Sequence, residues 1–153
     1  MTSKQQTANS KQLQTLKVKR LHPTVKLPSR SHGNDAGIDL FLADDLTLAA
    51  GERQRIALGI SIELPVGTVG LIWDRGSKAR DGLKSMGGVI DEGYRGELQI
   101  LLVNLSQETL SYPAGTSIVQ LLVQPVFQPQ IAEIDNLTET ERGEKGFGSS
   151  DSQ

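Results

Sequence analysis

Cysteine is missing altogether from the 153 residues, and with it go disulfides, thiolate metal sites and cysteine nucleophiles. A basic excess is missing too: 16 Lys and Arg stand against 18 Asp and Glu, a formal charge of −2. Proteins that bind duplexes ordinarily carry a cationic surplus to neutralise phosphates. Nucleic acid is therefore not an expected partner, and any anion has to be met by a local cluster. The opening MTSKQQTANSKQLQTLKVKR has no apolar run, so neither a signal peptide nor a membrane span is read there, and a cytoplasmic protein without membrane attachment is expected. The stretch WDRGSKAR has neither the glycine spacing and following Lys-Ser or Lys-Thr pair of a phosphate-binding P-loop nor a dinucleotide fingerprint. The two histidines, His22 and His32, stand in polar loop sequence with no metal-ligand spacing and read as surface residues.

What is present is a series of short strands. In RIALGISIEL the residues Ile56, Leu58, Ile60, Ile62 and Leu64 recur at every second position, the mark of a strand with one buried face. TVGLIWD gives the same reading through Val69, Leu71 and Trp73, while ELQILLVNL and SIVQLLVQPVF are apolar enough to be covered on both faces. Breakers such as LPVGT, LSYPAGT and VFQPQ separate them. Many short strands at such intervals predict an all-β sandwich, jelly roll or small barrel. The one helix expected is a turn or two after Asp74, through RGSKARDG, with Asp74 as N-cap. Residues 1–15, polar throughout, read as a flexible arm, 16–136 as the folded domain, and the glycine-rich 137–153 as a flexible tail.

Four groups of residues carry possible chemistry. RGEKGFGSSD, Arg142 to Asp151, combines a guanidinium, serine hydroxyls and glycines that let N–H groups converge on an oxyanion, with Phe147 able to stack on a base. The plain alternative is a polar tail. WDRGSKAR clusters Arg75, Ser77, Lys78 and Arg80 at a strand end; it is either a second anion site or a solvated turn. NDAGIDLFL places Asp35 and Asp39 around a glycine, as carboxylates for a hydrated Mg²⁺ or as turn formers. GGVIDEGYRGE sets Asp91, Tyr94 and Arg95 in a glycine-flanked hairpin, whose backbone can approach a flat ligand and whose aspartate can accept a proton.

Taken in order, DAGIDL, DRGSKA, GGVIDEGYRGE, GTSIVQLLV and ERGEKGFGSS resemble the five motifs of the trimeric dUTP diphosphatases, the dUTPase family, and the likeness runs from about Leu16 to Ser150. The resemblance implies a jelly-roll-like β-clip of short, mostly antiparallel strands with at most one short helix. It implies a homotrimer with active sites at subunit interfaces and Mg²⁺-assisted hydrolysis of dUTP to dUMP and pyrophosphate. By motif, Asp91 corresponds to the water-activating aspartate and Tyr94 to the aromatic against deoxyribose. The backbone of Gly88, Val89 and Ile90 corresponds to the uracil-pairing hairpin. Arg75, Gly76, Ser77 and Gln120 fall at the phosphates, as do Arg142, Gly148, Ser149 and Ser150 of the tail, a lid in which Phe147 caps the uracil. Asp39 would touch the metal only through water. Arg95 is left with a structural salt bridge to an unnamed partner. The chain departs from the pattern at Gly76-Ser77, where Ser-Gly or Ser-Ser is usual, and at Lys78, Gly93, Ser117 and Lys145. Two rivals share the scaffold: a dCTP deaminase relative, and a dUTP-binding regulator without turnover.

Overall fold

The computed structural model describes residues 14–144. Ten strands and one helical turn follow in chain order: β1 Lys17–Arg20, β2 Ile38–Phe41, β3 Leu46–Leu48, β4 Arg53–Glu63, β5 Thr68–Asp74, α1 Gly76–Arg80, β6 Leu83–Met86, β7 Val89–Ile90, β8 Glu97–Asn104, β9 Leu110–Tyr112 and β10 Ser117–Pro125. They form one sheet ordered β1-β4-β8-β6, a second ordered β2-β10-β5-β7 and a small pair β3-β9, with every pairing antiparallel. The expected all-β jelly-roll-like β-clip with one short helix is therefore what the chain forms.

Alternation dictates most of the core. Leu58, Ile60, Ile62 and Leu64 are buried as the period of two requires, and Ile56 is half-buried beside them. From β8, Leu98, Ile100 and Leu102 enter the same core, and Asn104 follows them in phase. Buried Asn104 satisfies its amide in full: Nδ2 donates to the carbonyls of Leu48, Ala49 and Glu108, and Oδ1 accepts from the Ser106 N–H and hydroxyl. A buried amide with its partners in place adds stability, whereas an unpaired one costs about 1–3 kcal/mol.

Two readings of the strands are corrected. In β5 the buried face is Thr68, Gly70 and Ile72; Val69 and Leu71 are half-buried, and Trp73 is 56 % exposed. Periodicity fixes the spacing of a face but not which of two apolar faces meets the core, and TVGLIWD is apolar on both. In β8 and β10 one face is covered and the other, with Leu101, Val103 and Leu122, is only half-buried, because among the described residues no further layer lies over it. A register shift between Ser117 and Val119 buries the consecutive pair Ile118 and Val119.

Candidate active site

The sheet brings three of the motifs together. Gln120 on β10 stands in register with Asp39 on one side and Trp73 on the other, so β2, β10 and β5 set Asp39, Gln120 and the strand end at Asp74-Arg75 side by side. Arg75 Nε lies 3.1 Å from Asp39 Oδ1, and the Ser31 hydroxyl donates to Asp39 Oδ2 at 3.1 Å. Gln120 Nε2 donates to the Asp74 carbonyl at 2.8 Å. Gly37 leaves the room that Gln120 uses, since a Cβ at that position would overlap the Gln120 carboxamide. Ser31, Gly37, Asp39, Arg75 and Gln120 line a cleft of about 570 Å³ together with Gly76, Ser77, His32 and Asp35.

Asp74 does not cap the helix. Arg75 holds the N-cap position, without a side-chain capping bond. Asp74 still belongs to β5, and β6 offers it better partners: its carboxylate accepts from the Ser85 N–H at 2.7 Å, the Ser85 hydroxyl at 2.6 Å and Lys84 Nζ at 2.6 Å. Burial raises the Asp74 pKa, but the bonds from Lys84 and Ser85 and the Lys84 charge outweigh it and hold the carboxyl below its ordinary value.

The second group is the hairpin. Strands β6 and β8 pair with Met86 opposite Leu101, and the residues between them reach across to the other sheet, where β7 pairs with β5 as Val89 to Leu71 and Ile90 to Gly70. Gly88 makes this possible: its φ is +113°, its carbonyl accepts the Ile72 N–H at 2.8 Å, and an added Cβ would lie 2.8 Å from Ile72 Cβ. Beyond β7 the chain turns on itself, with the Tyr94 N–H bonded to the Asp91 carbonyl at 3.0 Å and the Tyr94 hydroxyl to the Glu97 carbonyl at 2.8 Å. Asp91 and Tyr94 are both exposed. Among the described residues Arg95 is in no carboxylate salt bridge, the role expected of it; Nη1 donates to the carbonyls of Glu92 and Tyr94.

One chain does not join the two groups. Ile90 is level with Gly70, and Arg75 lies five residues further along the strand, about 17 Å at the usual rise; Asp91 is one step further still. None of Gly88, Val89, Ile90, Asp91 or Tyr94 lines the Arg75 cleft. In the third group Arg142 is exposed in the stretch after β10, whereas Phe147, Gly148, Ser149 and Ser150 lie outside the described residues.

A family model described as dUTPase matches residues 24–151. The chain belongs to the dUTPase family. It is 44 % identical over 140 residues to the deoxyuridine 5'-triphosphate nucleotidohydrolase of Rhodococcus erythropolis, covering 89 % of this chain and 85 % of that one. The enzyme of the same name from Corynebacterium diphtheriae is 45 % identical over 136 residues, covering 86 % and 90 %. Among solved structures, a mutant dUTPase of Staphylococcus bacteriophage 80alpha with dUpNHpp superposes with a TM-score of 0.84 at 29 % identity, covering 89 % of this chain and 98 % of that one. A mutant dUTPase of phage phi11 of S. aureus, solved with a structural Mg(II) ion, gives 0.76 at 25 %, covering 82 % and 99 %.

Against that dUTPase pattern, the departures have visible places. Ser77 lines the cleft. Lys78 lies over the Tyr112 ring at 4.1 Å from its centroid. The Ser117 hydroxyl is buried with no partner among the described residues. His32, read from the sequence as a surface residue, is exposed but stands at the rim of the cleft, Nδ1 3.2 Å from the Asp35 carboxylate. Its one sequence signal is adjacency to DAGIDL. No cluster of three or more His, Cys, Asp or Glu side chains able to hold a metal is found among the described residues, nor any helix long and apolar enough to cross a membrane.

Proposed function

We infer that the chain hydrolyses dUTP to dUMP and pyrophosphate, with Asp91 activating the water that attacks the α-phosphorus. Family membership carries the reaction. The observation that supports the residue roles is the pairing of a polar, hydrogen-bonding cleft that holds Arg75 with a braced hairpin that presents an exposed Asp91. Asp39 occupies one edge of the Arg75 guanidinium and leaves terminal N–H groups for phosphate oxygens. The second amide hydrogen of Gln120 serves the same end, as does the Ser77 hydroxyl. The main chain of Gly88 to Ile90 pairs with uracil, and a base of the wrong donor and acceptor pattern would leave buried groups unpaired. Tyr94 packs on the deoxyribose where a ribose hydroxyl would collide. Arg142, Gly148, Ser149 and Ser150 act at the far phosphate, with Phe147 over the base as the tail closes.

Mg²⁺ fits this arrangement as an ion held by waters and substrate phosphates, with the Asp39 carboxylate in the cleft to reach it through water. When bound it neutralises phosphate charge. A homotrimer with interfacial sites fits the separation of the two groups along β5: a neighbour's hairpin would complete the cleft. Exposed Trp73, Val89, Phe127, Ile131 and Leu137 give a further reason for association, as apolar surface that a second copy would cover.

The test is pyrophosphate release from dUTP with Mg²⁺, run beside dCTP, dTTP and UTP and beside Asp91→Asn. Selective release with dUTP is expected, with kcat falling about 10²–10⁴-fold in the variant. Equal turnover by Asp91→Asn, or ammonia release from dCTP, would overturn this reading, and a monomer in sedimentation would sink the shared site.

A further inference from the structure

Arg95 has no part in the roles assigned so far, and its contacts are unusual for an exposed arginine. Residues 91–96 lie between β7 and β8 and pair with no strand among the described residues, so local groups and water are the ready partners for their carbonyls. One guanidinium nitrogen, Nη1, bridges two of them, at 2.6 Å from the Glu92 carbonyl and 2.9 Å from that of Tyr94. The Glu92 side chain anchors the same turn outward, accepting the Gly67 N–H at 2.7 Å from the β4–β5 connection. With the Tyr94 N–H on the Asp91 carbonyl, these bonds close a ring through Asp91, Glu92, Tyr94 and Arg95.

We propose that Arg95 is a positioning residue: by joining the two carbonyls it fixes the distance between the carboxylate of Asp91 and the ring of Tyr94, and so between the attacking water and the sugar. The proposal rests on the roles given to Asp91 and Tyr94 above. Arg95 touches neither reacting atom nor core. Its other side faces a groove of about 320 Å³ along Lys17, Lys19 and Glu63, so removing it leaves no buried cavity. The bond from Lys17 and the Lys17 charge lower the Glu63 pKa, and Arg95 adds a smaller lowering from across this groove.

Arg95→Ala and Arg95→Lys separate this role from a merely structural one when kcat, KM, the dUTP to UTP ratio of kcat/KM and melting temperature are read together. In Arg95→Ala, kcat is expected to fall about 10- to 100-fold, the cost of a misplacement near 1 Å, and the dUTP to UTP ratio to narrow, with melting little changed. Arg95→Lys is expected to recover most of both, because a single nitrogen makes both bonds. Glu92→Ala, which frees the other anchor, should narrow the ratio in the same way and serves if Arg95→Ala does not fold. An unchanged kcat and ratio in whichever of these folds overturns the proposal. So does a lysine variant no better than alanine, or a rise in KM alone, which would mean direct substrate contact. Asp91→Asn run alongside separates the failures: an active Asp91→Asn sinks the site reading, whereas a dead one beside an unaffected Arg95→Ala sinks only this inference.

Discussion

The cleft at Arg75 and the hairpin at Asp91 are held by different kinds of bond. In the cleft, side chains hold side chains across a sheet: Asp39 holds Arg75, Ser31 holds Asp39, and the register of β2, β10 and β5 sets their spacing. In the hairpin, the partners are mostly main-chain groups within a few residues, at the carbonyls of Asp91, Glu92, Tyr94 and Glu97. A phosphate site needs fixed charge, which long-range pairing supplies. A site that reads a base edge needs fixed backbone, which a local turn supplies. The cleft should therefore tolerate changes of backbone in the hairpin, and the hairpin changes of charge in the cleft.

The largest expected effect falls on the hairpin backbone. Gly88→Ala places a side chain at φ +113° and 2.8 Å from Ile72 Cβ, with strain of about 1–3 kcal/mol from the dihedral and the clash in addition. β7 should lift from β5, dUTP turnover should collapse, and binding of inorganic pyrophosphate to the cleft should persist. Pyrophosphate titration of the variant checks this, and parallel loss of both would show the two regions to be one unit.

Next in size is Asp74, the joint between the regions. Its carbonyl serves Gln120 in the cleft, while its carboxylate ties β5 to β6, the strand that leads into the hairpin. Asp74→Ala strands the N–H and hydroxyl of buried Ser85 and is expected to cost about 1.5–3 kcal/mol at neutral pH, as for bonds to a charged group. The pKa of Asp74 is lowered in the folded chain. Its contribution is therefore fully present above the unfolded value near 3.9 and is lost as the pH falls through the folded value. Melting curves of wild type and variant should converge below about pH 4; a constant gap would mean the charge is not involved.

The sequence carried the five motifs, the alternation of β4 and the single helical turn, because local spacing records all of them. The partner of Asp74 was hidden, since Ser85 lies eleven residues away and meets it only because β6 passes the end of β5. The exposed face of Trp73 was hidden for another reason: both faces of TVGLIWD are apolar, and only packing selects one. Arg95 was read as half of a salt bridge with no partner named, whereas the turn between β7 and β8 offers it main-chain carbonyls, which no sequence spacing records.

A smaller effect is expected from Gly37→Ala in the cleft. The new methyl overlaps the Gln120 carboxamide, but that is the end of a flexible side chain, so Gln120 swings away and gives up the Asp74 carbonyl. The fold should survive at a cost of about 1 kcal/mol. Steady-state kinetics should show KM for dUTP raised about tenfold, with the dUTP to UTP ratio intact, the opposite signature to a hairpin lesion.

The smallest expected effect sharpens the hairpin side. Tyr94→Phe removes one hydrogen bond, from the ring hydroxyl to the Glu97 carbonyl at 2.8 Å, and leaves the ring itself. That carbonyl belongs to the first residue of β8 in a part-exposed position, where water can replace the lost donor, so the net cost is about 0.5–1.5 kcal/mol at most. The ring, however, loses the one bond that fixes its tilt. If the hydroxyl serves only stability, melting falls slightly and the dUTP to UTP ratio of kcat/KM is unchanged. If it aims the ring at the sugar, the ratio narrows several-fold while inorganic pyrophosphate binds as before. The second result is expected, because Tyr94 is 43 % exposed and its ring lies against Gly96, which offers no side chain to hold its tilt.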